Sequence, residues 1–308
     1  MILTVTLNPA VDKTYRTGQL LSGHINRVSS MMSLPGGKGI NVSRILRQYG
    51  QPVRATGFLG GYTGKWIEEK IGAMGVECAF VKTQGDTRCS MNIVADNGYV
   101  TEILEPGPQI FPEEKARFLE GFEALLQDCE LVVISGSAAP GLGNGIYPEL
   151  IGIAAAHGKR VILDASGEGL RAGVAAVPYL VKPNRRELEY IAGHSCRGQD
   201  QILAAAQRLL EAGVAYVAVS AGDKGIYLLG KQRRLFARAP RIKVVNTVGC
   251  GDSACASLAM SLLRGEPMEE MLRRAVAVSA AHATTLESGS IPIELAEQLY
   301  QQIQTEVL

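Results

Sequence analysis

The stretch "VVNTVGCGDSACASLAMSLL", beginning at Val244, sets Gly249, Cys250, Gly251 and Asp252 directly before a run of small and apolar residues. Ala254, Cys255, Leu258, Ala259, Leu262 and Leu263 recur at three- and four-residue spacing until Gly265 and Pro267, which predicts a helix with Asp252 at its start. Unpaired N–H groups and the helix dipole favour an anion at such a start, and glycines let the amides approach it. That arrangement suits a phosphoryl group in transfer, because the reaction rests on positioning and on stabilising charge over the equatorial oxygens. A carboxylate at the rim could take the proton of an attacking hydroxyl. The plainer alternative is that Asp252 caps the helix, the commoner role for an aspartate so placed.

Two further turns share this character. "GGKGINVSRIL", from Gly36, puts glycines before a helix whose Ile40, Val42, Ile45 and Leu46 fall on one side, leaving Lys38 and Asn41 to face a ligand. Lys38 reads equally as a solvated surface charge. "VISGSAAPG", at Val133, is a strand followed by a small-residue turn, as expected at the carboxyl edge of an open sheet where ligands bind. Familiar nucleotide motifs fail. "GGYTGKW" at Gly60 has its glycines too close for a P-loop and carries Trp66 where a hydroxyl should hold magnesium. "GLGNG" at Gly141 is too short for a dinucleotide fingerprint. His24, His157, His194 and His282 lack metal-ligand spacing and read as ordinary surface or core histidines.

The elements that must carry these turns follow a βαβ rhythm. "ILTVTL", "LVVIS" at Leu131, "RVILDA" at Arg160, "YLVKPN" at Tyr179 and "YVAVSAG" at Tyr216 are predicted strands, and "KVV" at Lys243 is predicted to end another. Residues 113–128 and 199–213 have the spacing of crossover helices, so the chain is expected to be α/β with a doubly wound sheet. Residues 86–105 break the rhythm: they read as a hairpin turning at Asn97-Gly98, a dipeptide suited to positive φ angles. Residues 11–33 show no clear helix and could pair with that hairpin as a small lid, with residues 1–308 forming a single functional unit.

With 31 basic and 30 acidic residues, a net charge of +1 gives no reason to expect nucleic acid as a partner. The opening "MILTVTLNPAVDK" lacks a signal-peptide pattern, no apolar run approaches the roughly 18 residues of a membrane helix, and a cytoplasmic protein is expected. Six cysteines without a C-x-x-C pair fit reduced thiols.

Taken together, "TLNPAVD" at Thr6, "GGKGINV" at Gly36, "SGSAAPG" at Ser135, "KPNRRELE" at Lys182, "SAGDKG" at Ser220 and "NTVGCGDS" at Asn246 stand in the order of the PfkB (ribokinase-like) carbohydrate kinases. The resemblance spans nearly the whole chain and is strongest to the phosphosugar branch containing 1-phosphofructokinase and tagatose-6-phosphate kinase. It implies a three-layer α/β/α sandwich with a small β lid, ATP and Mg2+ as cofactors, and a homodimer joined through the lid. It implies Asp252 as catalytic base, with Gly249, Cys250 and Gly251 as the anion hole. On the substrate side it implies Asp12 for sugar hydroxyls, Gly37, Lys38 and Asn41 in the glycine turn, and Arg88 for the substrate's existing phosphate. Asn184 and Glu187 match an N-x-x-E pair in which Glu187 holds Mg2+ through water, and Ser220, Gly222 and Gly225 match the nucleotide loop.

The implied reaction is ATP-dependent conversion of a ketohexose monophosphate to the bisphosphate. Fructose 1-phosphate is the first acceptor and tagatose 6-phosphate the alternative, the latter because "TEILEPGP" at Thr101 puts an acidic residue after the hairpin. A free-sugar or nucleoside kinase, or a catalytically silent sugar-phosphate sensor, are the weaker rivals. Two departures stand out: Ala138 and Ala139 replace a Leu-Pro pair, and Cys250 replaces the usual Ala or Ser. The thiol predicts sensitivity to alkylation.

Overall fold

Neighbouring residues of the first strand, β1 (Ile2–Thr6), enter opposite cores: Ile2 packs into one buried cluster, Leu3 and Val5 into the other. A strand buried on both faces reads as a continuous apolar run, which is why "ILTVT" shows no polar alternation. The computed structural model describes residues 1–308. After β1 come β2 (Ala10–Thr17), β3 (Ser30–Gly36), α1 (Lys38–Gln48), β4 (Val53–Gly60), α2 (Gly61–Ala73), β5 (Glu77–Thr83), β6 (Arg88–Ala95), β7 (Val100–Leu104) and α3 (Pro112–Leu125). The middle of the chain holds β8 (Leu131–Ser135), α4 (Ile146–Ala156), β9 (Arg160–Asp164), α5 (Gly167–Ala175), β10 (Leu180–Val181), α6 (Arg185–Ala192), α7 (Gln199–Glu211) and β11 (Tyr216–Ser220). It ends with β12 (Gly225–Gly230), β13 (Arg234–Arg238), α8 (Cys250–Arg264), α9 (Met268–His282), α10 (Ile293–Gln302) and β14 (Thr305–Val307).

The main sheet runs β14-β13-β12-β11-β10-β9-β8-β1-β4-β5. From β5 to β11 neighbours pair in parallel, whereas β12, β13 and β14 are added antiparallel at one edge. Helices α1, α2, α8, α9 and α10 cover one face and α3 to α7 the other, giving the expected three layers. No helix is long and apolar enough to cross a membrane.

A second sheet, β3-β2-β6-β7, stands apart from the first. It draws on residues 10–17, 30–36, 88–95 and 100–104, with β6 parallel to β2 and antiparallel to β7. At the β6–β7 turn only Gly98 has a positive φ, of 86°. Asn97 instead accepts the Tyr99 N–H on its side-chain oxygen at 3.1 Å, so one glycine suffices where two left-handed residues were expected.

The strand expected at "KVV" is absent: nothing from Ala239 to Val248 joins a sheet. The free edge of β13 is taken by β14, so Val244 and Val245 find no sheet face and stand 58% and 45% exposed. Their segment is held instead by the Ala283 carbonyl, which accepts the N–H groups of Val245 and Asn246 at 2.8 and 3.2 Å.

Candidate active site

Helix α8 starts at Cys250, and its cap is Gly249, with φ at 93° and no side chain to offer the first turn. The N–H groups of Gly249, Gly251 and Asp252 donate to no protein acceptor, while that of Cys250 bonds the Thr247 carbonyl at 3.3 Å. Three outward-facing amides at a helix start make an anion cradle. Gly249 is required twice over. Its φ is left-handed, and a Cβ there would lie 2.8 Å from His282 Nε2.

Asp252 lies inside the first turn rather than at the cap, and it bonds no amide of its own helix. Its Oδ2 accepts from Asn41 Nδ2 at 2.8 Å, with both residues 5% exposed. Burial pushes its pKa up to about 7; the Lys38 ammonium works against that rise and Asp164 adds to it. The carboxyl is therefore near half-ionised at neutral pH, a state suited to accepting a proton.

Behind Asp252 lies a charge cluster. Lys38 Nζ donates to Asp164 Oδ1 at 3.3 Å and stands 4.0 Å from Glu187 Oε1. Lys182 Nζ lies 3.2 Å from Asp164 Oδ2. Asp164 and Lys182 were missed in the sequence, where each reads only as the polar end of an apolar strand. Lys38 is thus a paired charge, not a free surface one, and Asp164 holds its pKa above the usual lysine range.

His282 is fully buried, as one of the two expected alternatives had it. Its Nε2 accepts the Gly289 N–H at 3.2 Å, which leaves the proton on Nδ1, 3.8 Å from Cys250 Sγ. Burial brings the imidazole down to about 4 and lifts the Cys250 thiol to about 11, so both are neutral at pH 7.

On the lid side, Arg88 at the start of β6 folds back on the chain. Its Nε and Nη2 reach the Asn8 carbonyl at 3.4 and 3.3 Å and its Nη1 the Glu105 carbonyl at 3.2 Å. It lines a cleft of about 610 Å³ together with Asn8, Glu105, Ser137, Asn144 and Tyr147. Asp12, on β2, does not line that cleft but stands at the lid base. Burial raises it to about 6 against the pull of Arg88 and Arg44. Gly36 makes room for it, since a Cβ there would fall 2.0 Å from Asp12 Oδ2. Gly37, with φ at 101°, lies against Thr6 and Pro9 and lines neither cleft.

A second cleft, of about 710 Å³, brings Asn184, Ser220, Gly222 and Gly225 opposite Cys250 and Gly251. Its far end is aliphatic, with Ile226, Ile242 and Val276. Gly225 also has a local reason: a Cβ would meet the Ala237 carbonyl at 2.0 Å where β12 pairs with β13. Asn184 caps α6 reciprocally with Glu187, each side chain bonding the other's N–H at 2.9 and 2.8 Å. The N-x-x-E spacing is thus a capping box first, and it leaves Glu187 Oε1 facing Lys38.

The glycine-loop cleft thus takes in Cys250 and Gly251 at the start of α8, and Asp252, next in the chain, is buried behind them and lines neither cleft. A family model described as "pfkB family carbohydrate kinase" matches residues 4–294. The 1-phosphofructokinase of Bacillus subtilis is 36% identical over 100% of this chain and 98% of its own length. The tagatose-6-phosphate kinase of Staphylococcus epidermidis is 35% identical over 99% of each. Among solved structures, Escherichia coli phosphofructokinase-2 in complex with potassium superposes with a TM-score of 0.92 at 29% identity, covering 98% of both chains. On the strength of the model match and of relatives aligned end to end, this chain belongs to the pfkB family of carbohydrate kinases.

Proposed function

We propose that the protein is an ATP-dependent kinase that phosphorylates a ketohexose monophosphate to the bisphosphate, with fructose 1-phosphate as acceptor. One observation carries the reading: Asp252, buried and with its pKa raised to about 7, sits in the first turn of the helix whose Cys250 and Gly251 line the cleft of the glycine loop of Ser220, Gly222 and Gly225. Arg88 would grip the phosphate already on the sugar, its fork matching two oxygens at once. Asp12 would take sugar hydroxyls, while Gly37 sets the turn that presents Lys38 and Asn41. Asp252 would draw the proton from the attacking hydroxyl, and the free amides of Gly249, Gly251 and Asp252 would receive the charge of the moving phosphoryl group, the Cys250 N–H expected beside them being held by the Thr247 carbonyl.

Glu187 fits a magnesium ion held through water. It offers one carboxylate oxygen outside the capping box, Asn184 lies beside it, and Mg2+ commonly keeps its waters and binds through a carboxylate plus substrate phosphates. When bound, the ion would neutralise charge on the ATP phosphates. Closure of the β2-β3-β6-β7 lid would exclude water as a competing acceptor. The outer strand β7 exposes Val100, Ile103 and Leu104, with Tyr99 beside them, which supports a homodimer formed through the lid. Residues 1–308 act in this reading as one unit, in the cytoplasm, where the six thiols would stay reduced.

Tagatose 6-phosphate is the second acceptor, supported by the near-equal identities of the two named relatives. ADP release from ATP with fructose 1-phosphate, fructose 6-phosphate, tagatose 6-phosphate and the free sugars tests the proposal. Turnover should be highest with a sugar phosphate. Faster turnover of free sugars, or none with any acceptor, would overturn it.

A further inference from the structure

We propose that Arg44, which lines neither cleft, is a positioning residue for the sugar acceptor: its guanidinium fixes the end of β3 beside the Asp12 carboxyl and lends that carboxylate a buried positive charge. The role rests on the kinase reading above, in which Asp12 takes sugar hydroxyls. Arg44 lies on α1 and is 5% exposed. Its Nη1 donates to the Pro35 carbonyl at 3.3 Å and to the Ser288 carbonyl at 2.6 Å, while its Nε is buried without a partner. Both acceptors are neutral, and a guanidinium does not shed its proton inside a protein. The charge therefore acts on the carboxylates around it, Glu287 after α9 and Asp12 on β2. Glu287 is exposed and screened by water, whereas Asp12 is part-buried, and the nearby His282 is neutral at pH 7.

Geometry directs Arg44 to the seat of Asp12. Pro35 is followed by Gly36, and the Asp12 carboxyl lies so close over Gly36 that a Cβ there would fall 2.2 Å from its Cγ. Moving the Pro35 peptide would move that seat. The carboxyl must be ionised to serve, because both oxygens then accept hydrogen bonds from hydroxyls. Burial and Glu102 of β7 favour the acid; Arg88 of β6 and Arg44 of α1 favour the carboxylate. A phosphate bound to Arg88 would offset the first of these cations. Arg44, away from both clefts, is then the cation left to hold Asp12 ionised as the acceptor arrives.

Calorimetry of fructose 1-phosphate and tagatose 6-phosphate binding to the full chain, with and without MgADP, from pH 5 to pH 8 tests this. Titration of the ligand's own phosphate cancels in the ratio of variant to parent. Arg44→Met removes the cation, so Asp12 should take up its proton at higher pH. Affinity should stay within about 2-fold of the parent at pH 8 and be about 10-fold weaker at pH 5. Arg44→Lys keeps the charge but loses the paired bonds to Pro35 and Ser288, and should weaken binding by one factor, about 3- to 10-fold, at every pH. If Arg44→Met does not fold, Arg44→Gln removes the charge, keeps an amide donor and should open the same pH-dependent gap. A charge-removing variant that binds as the parent does, or is weaker by the same factor throughout, makes Arg44 a structural staple and overturns the inference. A parent protein that binds neither sugar phosphate under either condition would sink the kinase reading, and this role with it.

Discussion

Asn41 Nδ2 donates to Asp252 Oδ2 at 2.8 Å and so ties the first turn of α1 to the first turn of α8. The bond favours the ionised carboxylate against a burial that favours the acid. Removing it with Asn41→Leu should raise the pKa of Asp252 by about one unit, since a hydrogen bond to a charged group is worth about 1.5–3 kcal/mol. The acid limb of the pH–kcat profile should move up accordingly, with turnover at pH 7 down about 5-fold. An unmoved limb would separate Asn41 from the base.

Asp252→Asn should trade activity for stability. Turnover is expected to fall about 10²- to 10⁴-fold with nucleotide binding retained. The raised pKa means the ionised carboxylate opposes folding: the cost is absent below the ordinary value of 3.8, grows as pH climbs, and is complete above about 7. The variant should therefore melt about 2–5 °C higher than the parent at pH 8 and show no such gain near pH 4. Thermal scans at the two pH values decide it, and equal melting temperatures at pH 8 would count against a buried base.

Arg88→Lys keeps the charge but loses the fork that reaches Asn8 and Glu105. KM for the sugar phosphate should rise about 10- to 100-fold while KM for ATP stays put. Steady-state kinetics with each substrate varied in turn will show it. A rise in the ATP constant alone would move Arg88 to the other cleft.

Cys250 lines the glycine-loop cleft with its thiol held protonated, at about 11, by burial. Alkylation should consequently be slow at pH 7, quicken as pH approaches 10, be blocked by ATP, and stop turnover in step with labelling. Mass spectrometry of the modified peptide beside residual activity provides the check. Full labelling without loss of rate would place the thiol outside the path of the phosphoryl group.

Much of this was legible in the residues, and the gaps have physical reasons. β1, β8, β9 and β11 lie buried within the parallel part of the sheet, so each shows an uninterrupted β-branched or aliphatic run. The edge strands hide better: β14 has only Thr305–Val307, and "KVV" has strand composition but no open edge to join. Glycine turns could be found because φ angles and close approaches demand glycine locally. Asp164 and Lys182 could not, because their pairing exists only once β9 and β10 lie side by side. A single charged residue closing each of two apolar strands, "VILD" and "LVK", was the available signal. The N-x-x-E spacing concealed a second duty, since a capping box and a candidate magnesium contact ask for the same residues three apart.

One junction gives the lid mechanical meaning. β3 ends at Gly36 and α1 begins at Lys38, so Gly37 alone links the small sheet to the helix that carries Asn41. A swing of that sheet about this single-residue joint would pull on the collar of the proton acceptor itself. Sugar arrival and readiness of the carboxylate would then be geared together, with no relay of intervening loops.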